Sequence, residues 1–421
     1  MRRLLPYTVL ALAVFLFHGL VYFGPGSDFA NYFQGAASFF SKLPYSTIGD
    51  ADVADAFRPP GYSFVLFLVL SVADVIDFRL VMLLINLTLF LAIYYFTVKL
   101  GRPSNLNQNL ILIIPFLLPT FLLTATSYQS DLFLILLTNM GIFFVFVGYR
   151  RRIPPYTLMG VLTLSMSLYF RPTLMYFVPF LCLILFIFGN RRVALSGLFI
   201  FAVVISPWII RNGLMTGEYH FSSLTKIFPR YLAAEVMSNI EGISTGEALE
   251  VFGGPAEKFL VQGSEITTPR KSEATDPVNY MLYNPTGLFR ATVKGVARAV
   301  LMPNEIYEAF DSRMIITERL RIYRGLNVSE IKKGISYDVY FIFIPILYSI
   351  YIWMRFMAGC VRKFKCCINP SLWDFPAVAA ASLIGYVFLV HGPSNKPHYL
   401  LLSLGAFMYL LIRMSKGQED C

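Results

Sequence analysis

The sequence predicts an all-α polytopic membrane protein, a bundle of about ten transmembrane helices with further juxtamembrane helices on the outer face. Three observations carry this. The 421-residue chain is 56% hydrophobic and only 14% charged, with a mean hydropathy of +0.61. A soluble chain of this size cannot hide so much apolar surface from water. Apolar segments near spanning length recur at 4–23, 79–98, 108–124, 131–149, 156–170, 173–188, 193–210, 337–357, 373–391 and 398–413. The basic residues stand in short clusters between these segments, so the net charge of +10 reads as a topology signal. No nucleic-acid partner is expected.

The first segment, Leu4 to Phe23, is expected to remain as an uncleaved helix, because no small-x-small cleavage site follows it. Six basic clusters follow the segment ends: Arg2 and Arg3; Lys99 and Arg102; Arg150, Arg151 and Arg152; Arg191 and Arg192; Arg362, Lys363 and Lys365; Arg413 and Lys416. The positive-inside tendency places all six in the cytoplasm together with the N-terminus. This assignment holds only if 61–73, GYSFVLFLVLSVA, does not span. At 13 residues it suits an interfacial or re-entrant helix. The outer side then receives 24–60, the breaks at 125–131 and Arg171–Pro172, the loop 211–336 and the turn 392–397.

Three regions result. Residues 1–211 form a transmembrane module with the first outer loop 24–60 and the interfacial helix 61–73. Residues 212–336 form a large outer loop, and 337–421 hold the last helices and a short cytoplasmic tail. Between Gly213 and Ser336 the loop carries fourteen acidic and fourteen basic residues, a balanced water-facing surface. Its Gly, Pro, Ser and Thr content around 242–287 predicts a loop-rich cap. Within it, 285–302 spaces Leu288, Val293, Val296, Ala297 and Val300 along one helical face, with Arg290, Lys294 and Arg298 on another. That pattern predicts an amphipathic helix on the bilayer surface. Asn327-Val-Ser329 fits the glycosylation pattern, one that recurs often by chance. The five cysteines (182, 360, 366, 367 and 421) all fall on the membrane or cytoplasmic side, leaving no outer disulfide framework.

Few residues are placed to do chemistry. Asp28 follows the first helix in GPGSDFANYFQGA, with Tyr32 one helical turn later. It reads either as a helix cap, with Ser27, or as a general base for an attacking hydroxyl. Arg58 opens RPPGY, whose prolines fix an extended entry and whose Gly61 permits close approach. Its guanidinium can face lipid headgroups or hold a phosphate bidentately. Asp131 and Arg171 sit at the edges of apolar segments, where a charge at membrane depth costs roughly 2.5–3.5 kcal/mol. Arg211 closes SPWIIRN and can simply snorkel. Lys396 and His398 lie in HGPSNKPHYLL beside His391, a spacing unsuited to metal. No Gly-rich phosphate loop, nucleophile elbow, HExxH or CxxC is present.

Taken in order, Asp28 with Tyr32, RPPGY, Ser130-Asp131, SLYFRPT, SPWIIRNGLMTGEY and the His398-Tyr399-Leu400 start of the last segment resemble the GT-C glycosyltransferases. The resemblance is to the bacterial branch related to protein O-mannosyltransferases and the lipid A aminoarabinose transferase, and it covers Asp28 to about Arg230 and 380–412. It implies a GT-C-like bundle and transfer of a sugar from a polyprenyl-phosphate donor to a glycan, lipid or protein acceptor. The implied reaction site is the outer face of a bacterial inner membrane. By position, Asp28 resembles the general base and Asp131 a polar residue of the catalytic site. Arg58, Arg171, Arg211, Lys396 and His398 resemble donor-phosphate ligands, and Tyr32, Tyr62 and Tyr399 substrate-binding residues. No cofactor is expected; metal dependence is not implied, and a divalent cation stays open. The sequence departs from the pattern where Phe29 replaces the second acid of a pair and His398 an arginine. Two alternatives stand beside this reading: a polysaccharide polymerase or ligase with a lipid-diphosphate donor, and a lipid-linked sugar transporter or flippase.

Overall fold

The computed structural model describes residues 9, 11–13, 15–16, 24–25, 29–41, 44–47, 57–72, 75–101, 116, 119–217, 219–222, 224–252, 276–301, 374–391, 405–406 and 409–410. These are overwhelmingly helical. The helices are α1 (Phe29–Ser41), α2 (Gly61–Val72), α3 (Phe78–Gly101), α4 (Pro119–Thr126), α5 (Asp131–Arg151), α6 (Pro154–Ser167) and α7 (Phe177–Ile187). After them come α8 (Arg191–Thr216), α9 (Leu224–Glu241), α10 (Thr245–Val251), α11 (Pro277–Tyr283), α12 (Pro285–Leu301) and α13 (Phe375–His391). Among the described residues one two-stranded bridge occurs, β1 (Gly24–Pro25) running parallel to β2 (Ser127–Tyr128).

Three of these helices, α3, α5 and α8, are long and apolar enough to cross a bilayer. On α8 the side chains of Leu195, Phe199, Val203, Ile210 and Leu214 are all exposed, a stripe that lipid, not water, can cover. A multi-helix protein partnered by a bilayer is thus the coarse result. The 12-residue α2 falls short of spanning length.

Local sequence explains the joints. Helix α5 ends where Arg152 turns left-handed (φ 56°) and its N–H returns to the Gly148 and Tyr149 carbonyls. Pro154 then starts α6, where a missing N–H is harmless. The α5–α6 hairpin packs through small residues: a Cβ on Gly160 would stand 2.6 Å from the Gly141 carbonyl oxygen, and one on Gly148 2.4 Å from the Thr157 nitrogen. Pro207 interrupts α8 and cannot donate to Val203. The Ser206 hydroxyl supplies that carbonyl with a donor at 3.3 Å, so the break leaves no bare backbone acceptor there.

Two predicted features change. The segment expected at 156–170 is helical only to Ser167, because Arg171 precedes a proline and is extended (φ −154°, ψ 138°). The polar residues read as loop signals in 242–287 partly begin helices instead. Ser244 and Glu247 form a reciprocal capping box on α10, and Asp276 caps α11 through the Val278 and Asn279 N–H groups. Residues 253–275 lie outside the described residues. Helix α12 occupies the stretch predicted to be amphipathic.

The helices define two ends. Asp131 begins α5 and Arg151 closes it, so its 21 residues separate them by roughly 30 Å. At the Arg151 end, Tyr149 and Phe188 both meet Phe375 (4.3 and 5.9 Å), and Lys99 lines one cleft with Arg150 and Tyr409. At the Asp131 end lie the 127–130 break, the 168–176 break and α2.

Two predictions follow from the packing and the cap. Gly160→Val should lower stability by about 1–3 kcal/mol, read as a lower melting temperature in detergent, whereas Gly385→Ala, in helix α13 with nothing within 4 Å of its Cβ direction, should leave the melting temperature close to that of the wild type. Hydrogen bonds from the Ser244 hydroxyl and backbone hold the Glu247 carboxyl below its usual range. The folded form therefore binds that proton more weakly, and the cap's contribution is complete at neutral pH and disappears as pH falls through the depressed value. Amide protection across 245–251 should decline on acidification in the wild type; this pH dependence should weaken in Ser244→Ala, which keeps the backbone N–H bond to the carboxylate, and vanish in Glu247→Gln.

Candidate functional site

Four chain segments meet at the Asp131 end. Helix α5 opens on Ser130-Asp131, two polar residues that are 0% and 2% exposed. Asp131 lies in the first helical turn, where a carboxylate suits the helix dipole. Ser130 holds the N-cap position but its side chain makes no capping bond; its hydroxyl is used across the bundle. Arg171, from the break after α6, donates from Nε to Ser130 Oγ (3.0 Å) and from Nη2 to Asp131 Oδ2 (3.1 Å), with Nε also 3.1 Å from Asp131 Oδ1. Both oxygens of Asp131 thus face one guanidinium, the fork geometry that favours arginine over lysine.

The network continues to α1. The Tyr32 hydroxyl lies 3.1 Å from Ser130 Oγ and 3.2 Å from the Phe170 carbonyl oxygen. A carbonyl can only accept, so Tyr32 gives its single proton there and Ser130 donates to Tyr32. The result is a directional chain from Arg171 through Ser130 and Tyr32 to Phe170, in which each bond polarises the next. Arg58 stands over the Tyr32 ring with its guanidinium carbon 5.0 Å from the centroid. Tyr62 meets the same ring edge-on at 5.0 Å.

Tyr62 is fully buried, and its hydroxyl has no hydrogen-bond partner among the described residues. Burial first, then Tyr32 and Asp131, push its phenol well above the ordinary range, so it stays a neutral donor. The RPPGY segment reaches this place because the Gly61 N–H donates to the Tyr169 carbonyl at 2.8 Å. A Cβ on Gly61 would lie 2.6 Å from that oxygen, which explains the glycine.

Arg211 occupies an adjoining position. It donates to Asn212 Oδ1 and to the Tyr45 carbonyl, both at 2.9 Å, and lies over the Trp208 ring at 4.8 Å. Tyr45 in turn bonds Ser63 and the Pro59 carbonyl, so Arg211 connects to the Arg58 turn through Tyr45. Among the predicted residues, then, Tyr32, Arg58, Tyr62, Asp131 and Arg171 come together, with Arg211 one side chain removed. Asp28, Lys396, His398 and Tyr399 lie outside the described residues, as do Asn327, 337–357 and four of the five cysteines. Cys182 is buried and free. The described chain on both sides of Asp28 meets the 127–130 break: Gly24 and Pro25 pair with Ser127 and Tyr128, and the Phe29 ring lies 5.6 Å from that of Tyr128.

Sequence reasoning passed over Asn86 and Tyr45. The Asn86 amide, 2% exposed within α3, donates to the Ala125 and Ser127 carbonyls (2.9 and 3.1 Å) and holds the break open. A lone amide in an apolar span is a signal that could have marked it. Tyr45 carries no such signal. No group of three or more His, Cys, Asp or Glu side chains suited to a metal occurs among the described residues. Comparison of the chain with protein-family models, curated proteins and solved structures returns no match.

The arrangement gathers guanidinium groups and buried hydroxyls at one end of the bundle, and its rigidity rests on the ion pair. Asp131→Asn should cost about 3–5 kcal/mol by leaving a buried guanidinium without its carboxylate. Arg171→Gln combined with Asp131→Asn should cost less than the sum of the single changes, measured as a coupling energy from melting curves of all four proteins in detergent.

Proposed function

We propose that the chain is a membrane glycosyltransferase of the GT-C kind, acting at the outer face and using a polyprenyl-phosphate sugar donor. The observation that carries this reading is the meeting of Arg58, Tyr32, Tyr62 and the Asp131–Arg171 pair at one end of an apolar helical bundle. A site there lets an isoprenoid tail stay in lipid while the sugar and its acceptor stay in water. The covalent chemistry is a single displacement. The acceptor oxygen bonds the anomeric carbon as the carbon–oxygen bond to phosphate breaks, inverting the centre. Asp28 takes the acceptor proton, and polyprenyl phosphate leaves with the bonding electron pair.

Each side chain then has a task. The leaving phosphate gains negative charge, which Arg58 and, beyond Tyr45, Arg211 are disposed to stabilise. Arg171 is matched to Asp131, so this pair acts by positioning: it fixes Ser130, and Ser130 fixes the Tyr32 ring beneath Arg58. The Tyr62 hydroxyl is disposed to donate to a substrate oxygen. Lys396, His398 and Tyr399 complete the proposed donor side.

The test uses purified full-length protein with synthetic polyprenyl monophosphate and diphosphate sugars. Transfer should require the monophosphate. Asp28→Asn should reduce it at least 100-fold with donor binding retained, and Arg58→Ala should raise the donor KM at least tenfold. Full activity in Asp28→Asn would remove that residue from the mechanism, and a requirement for diphosphate donors would replace this reading with the polymerase or ligase alternative.

A further inference from the structure

The other end of the bundle holds a separate group of cations. Lys99, from the last turn of α3, and Arg151, from the last turn of α5, line a cavity of about 490 Å³ together with Phe143, Val147 and Tyr156. A narrower cleft joins it through Lys99, Phe143 and Val147 and adds Arg150 and Tyr409. The volume lies within the roughly 300–1,000 Å³ of small-ligand sites. Its walls alternate aromatic or aliphatic surface with positive charge.

These cations are not neutralised within the described protein. The Lys99 ammonium lies over the Tyr95 ring at 5.3 Å, and Arg150 donates from Nη2 to the Tyr409 hydroxyl at 2.6 Å while lying over its ring at 5.3 Å. Neither these two nor Arg151 pairs with a carboxylate among the described residues. The contacts they do make are with neutral aromatic groups, which orient a cation without discharging it. This contrasts with Arg171, whose charge is matched by Asp131. Both helices that supply the cations are long and apolar enough to cross a bilayer, and both end here. The cavity therefore opens at the level where lipid headgroups lie. Basic pockets between membrane helices bind anionic headgroups for this physical reason.

We propose that this cavity binds a phosphate-bearing anion, with Lys99, Arg150 and Arg151 as its cationic ligands and Tyr156 and Phe143 as its apolar wall, and that the ligand is the headgroup of an anionic phospholipid. The site lies roughly 30 Å from Asp131 along α5 and is independent of the transferase reading.

The experiment is native mass spectrometry of the full chain in detergent, titrated with dioleoyl phosphatidylglycerol or with the zwitterionic dioleoyl phosphatidylcholine. Wild-type protein should retain the glycerol lipid at least tenfold better. The triple variant Lys99→Gln, Arg150→Gln, Arg151→Gln should lose that preference, and the single variant Arg151→Gln, at an exposed position, should weaken it while keeping the wild-type melting curve. The pair Arg290→Gln, Lys294→Gln, which removes charge from α12, should leave it unchanged. A parallel arm adds inorganic phosphate to lipid-stripped protein. Stabilisation by phosphate that is lost in the triple variant would assign the site to a soluble anion and overturn the lipid source, whereas phosphatidylglycerol preference with no phosphate effect supports the lipid. Equal retention of the two lipids by the wild type, or a preference unchanged in both Arg151→Gln and the triple variant, would overturn the proposal.

Discussion

A buried carboxylate and a buried guanidinium, brought from positions 131 and 171, set the form of the site end of this bundle. Taking two charges out of water costs several kcal/mol each, and their attraction offsets this only when geometry and further hydrogen bonds are good. The geometry here meets that demand: two donor nitrogens face two carboxylate oxygens, and Ser130 accepts from the same Nε. Such a pair adds little net stability relative to apolar packing, but it admits only one relative placement of its two helices. The breaks at 127–130 and 168–176 exist where the pair needs them, and the hydroxyls of Ser130 and Tyr32 pass that placement on to α1.

The backbone around the pair is irregular, and irregular backbone near lipid needs donors and acceptors from side chains. Asn86 supplies donors to the Ala125 and Ser127 carbonyls, Tyr169 to Val204, Tyr386 to Thr173 and Asn212 to His220 and Phe221. These residues lie on separate elements, yet each satisfies a carbonyl near a break or a helix end. The opposite end has a different character. Its described turns, at 152–153 and 188–190, are tight and close with backbone hydrogen bonds, and its cations look outward. One end spends its polar groups on itself, and the other presents them.

The helical class and three of the apolar spans were legible in the chain. The helices α3, α5 and α8 fall within a few residues of the apolar segments 79–98, 131–149 and 193–210, because a continuous apolar stretch in lipid has no alternative to a helix. Asp131 and Arg171 were each conspicuous for lying in apolar surroundings. Their pairing was not legible, since nothing local links residues forty positions apart. Tyr45 gave no sign of itself for a related reason: its value lies wholly in tertiary contacts with Pro59, Ser63 and Arg211. The helices at 245–251 and 277–283 were hidden by the ambiguity of Ser, Thr, Asp and Pro, which open helices as readily as they form loops.

The forty-residue separation of the pair has a consequence for biosynthesis. At about 5–20 residues per second, Asp131 is made roughly 2–8 s before Arg171. During that interval the nascent chain holds an acid at the head of an apolar helix with its counter-ion not yet synthesised. Contact with water at the translocon can bridge such a delay, and leaving it becomes favourable only once the arginine arrives. Completion of the α6–α7 region is therefore a natural checkpoint for assembly, at which the earlier helices exchange a temporary environment for the permanent one.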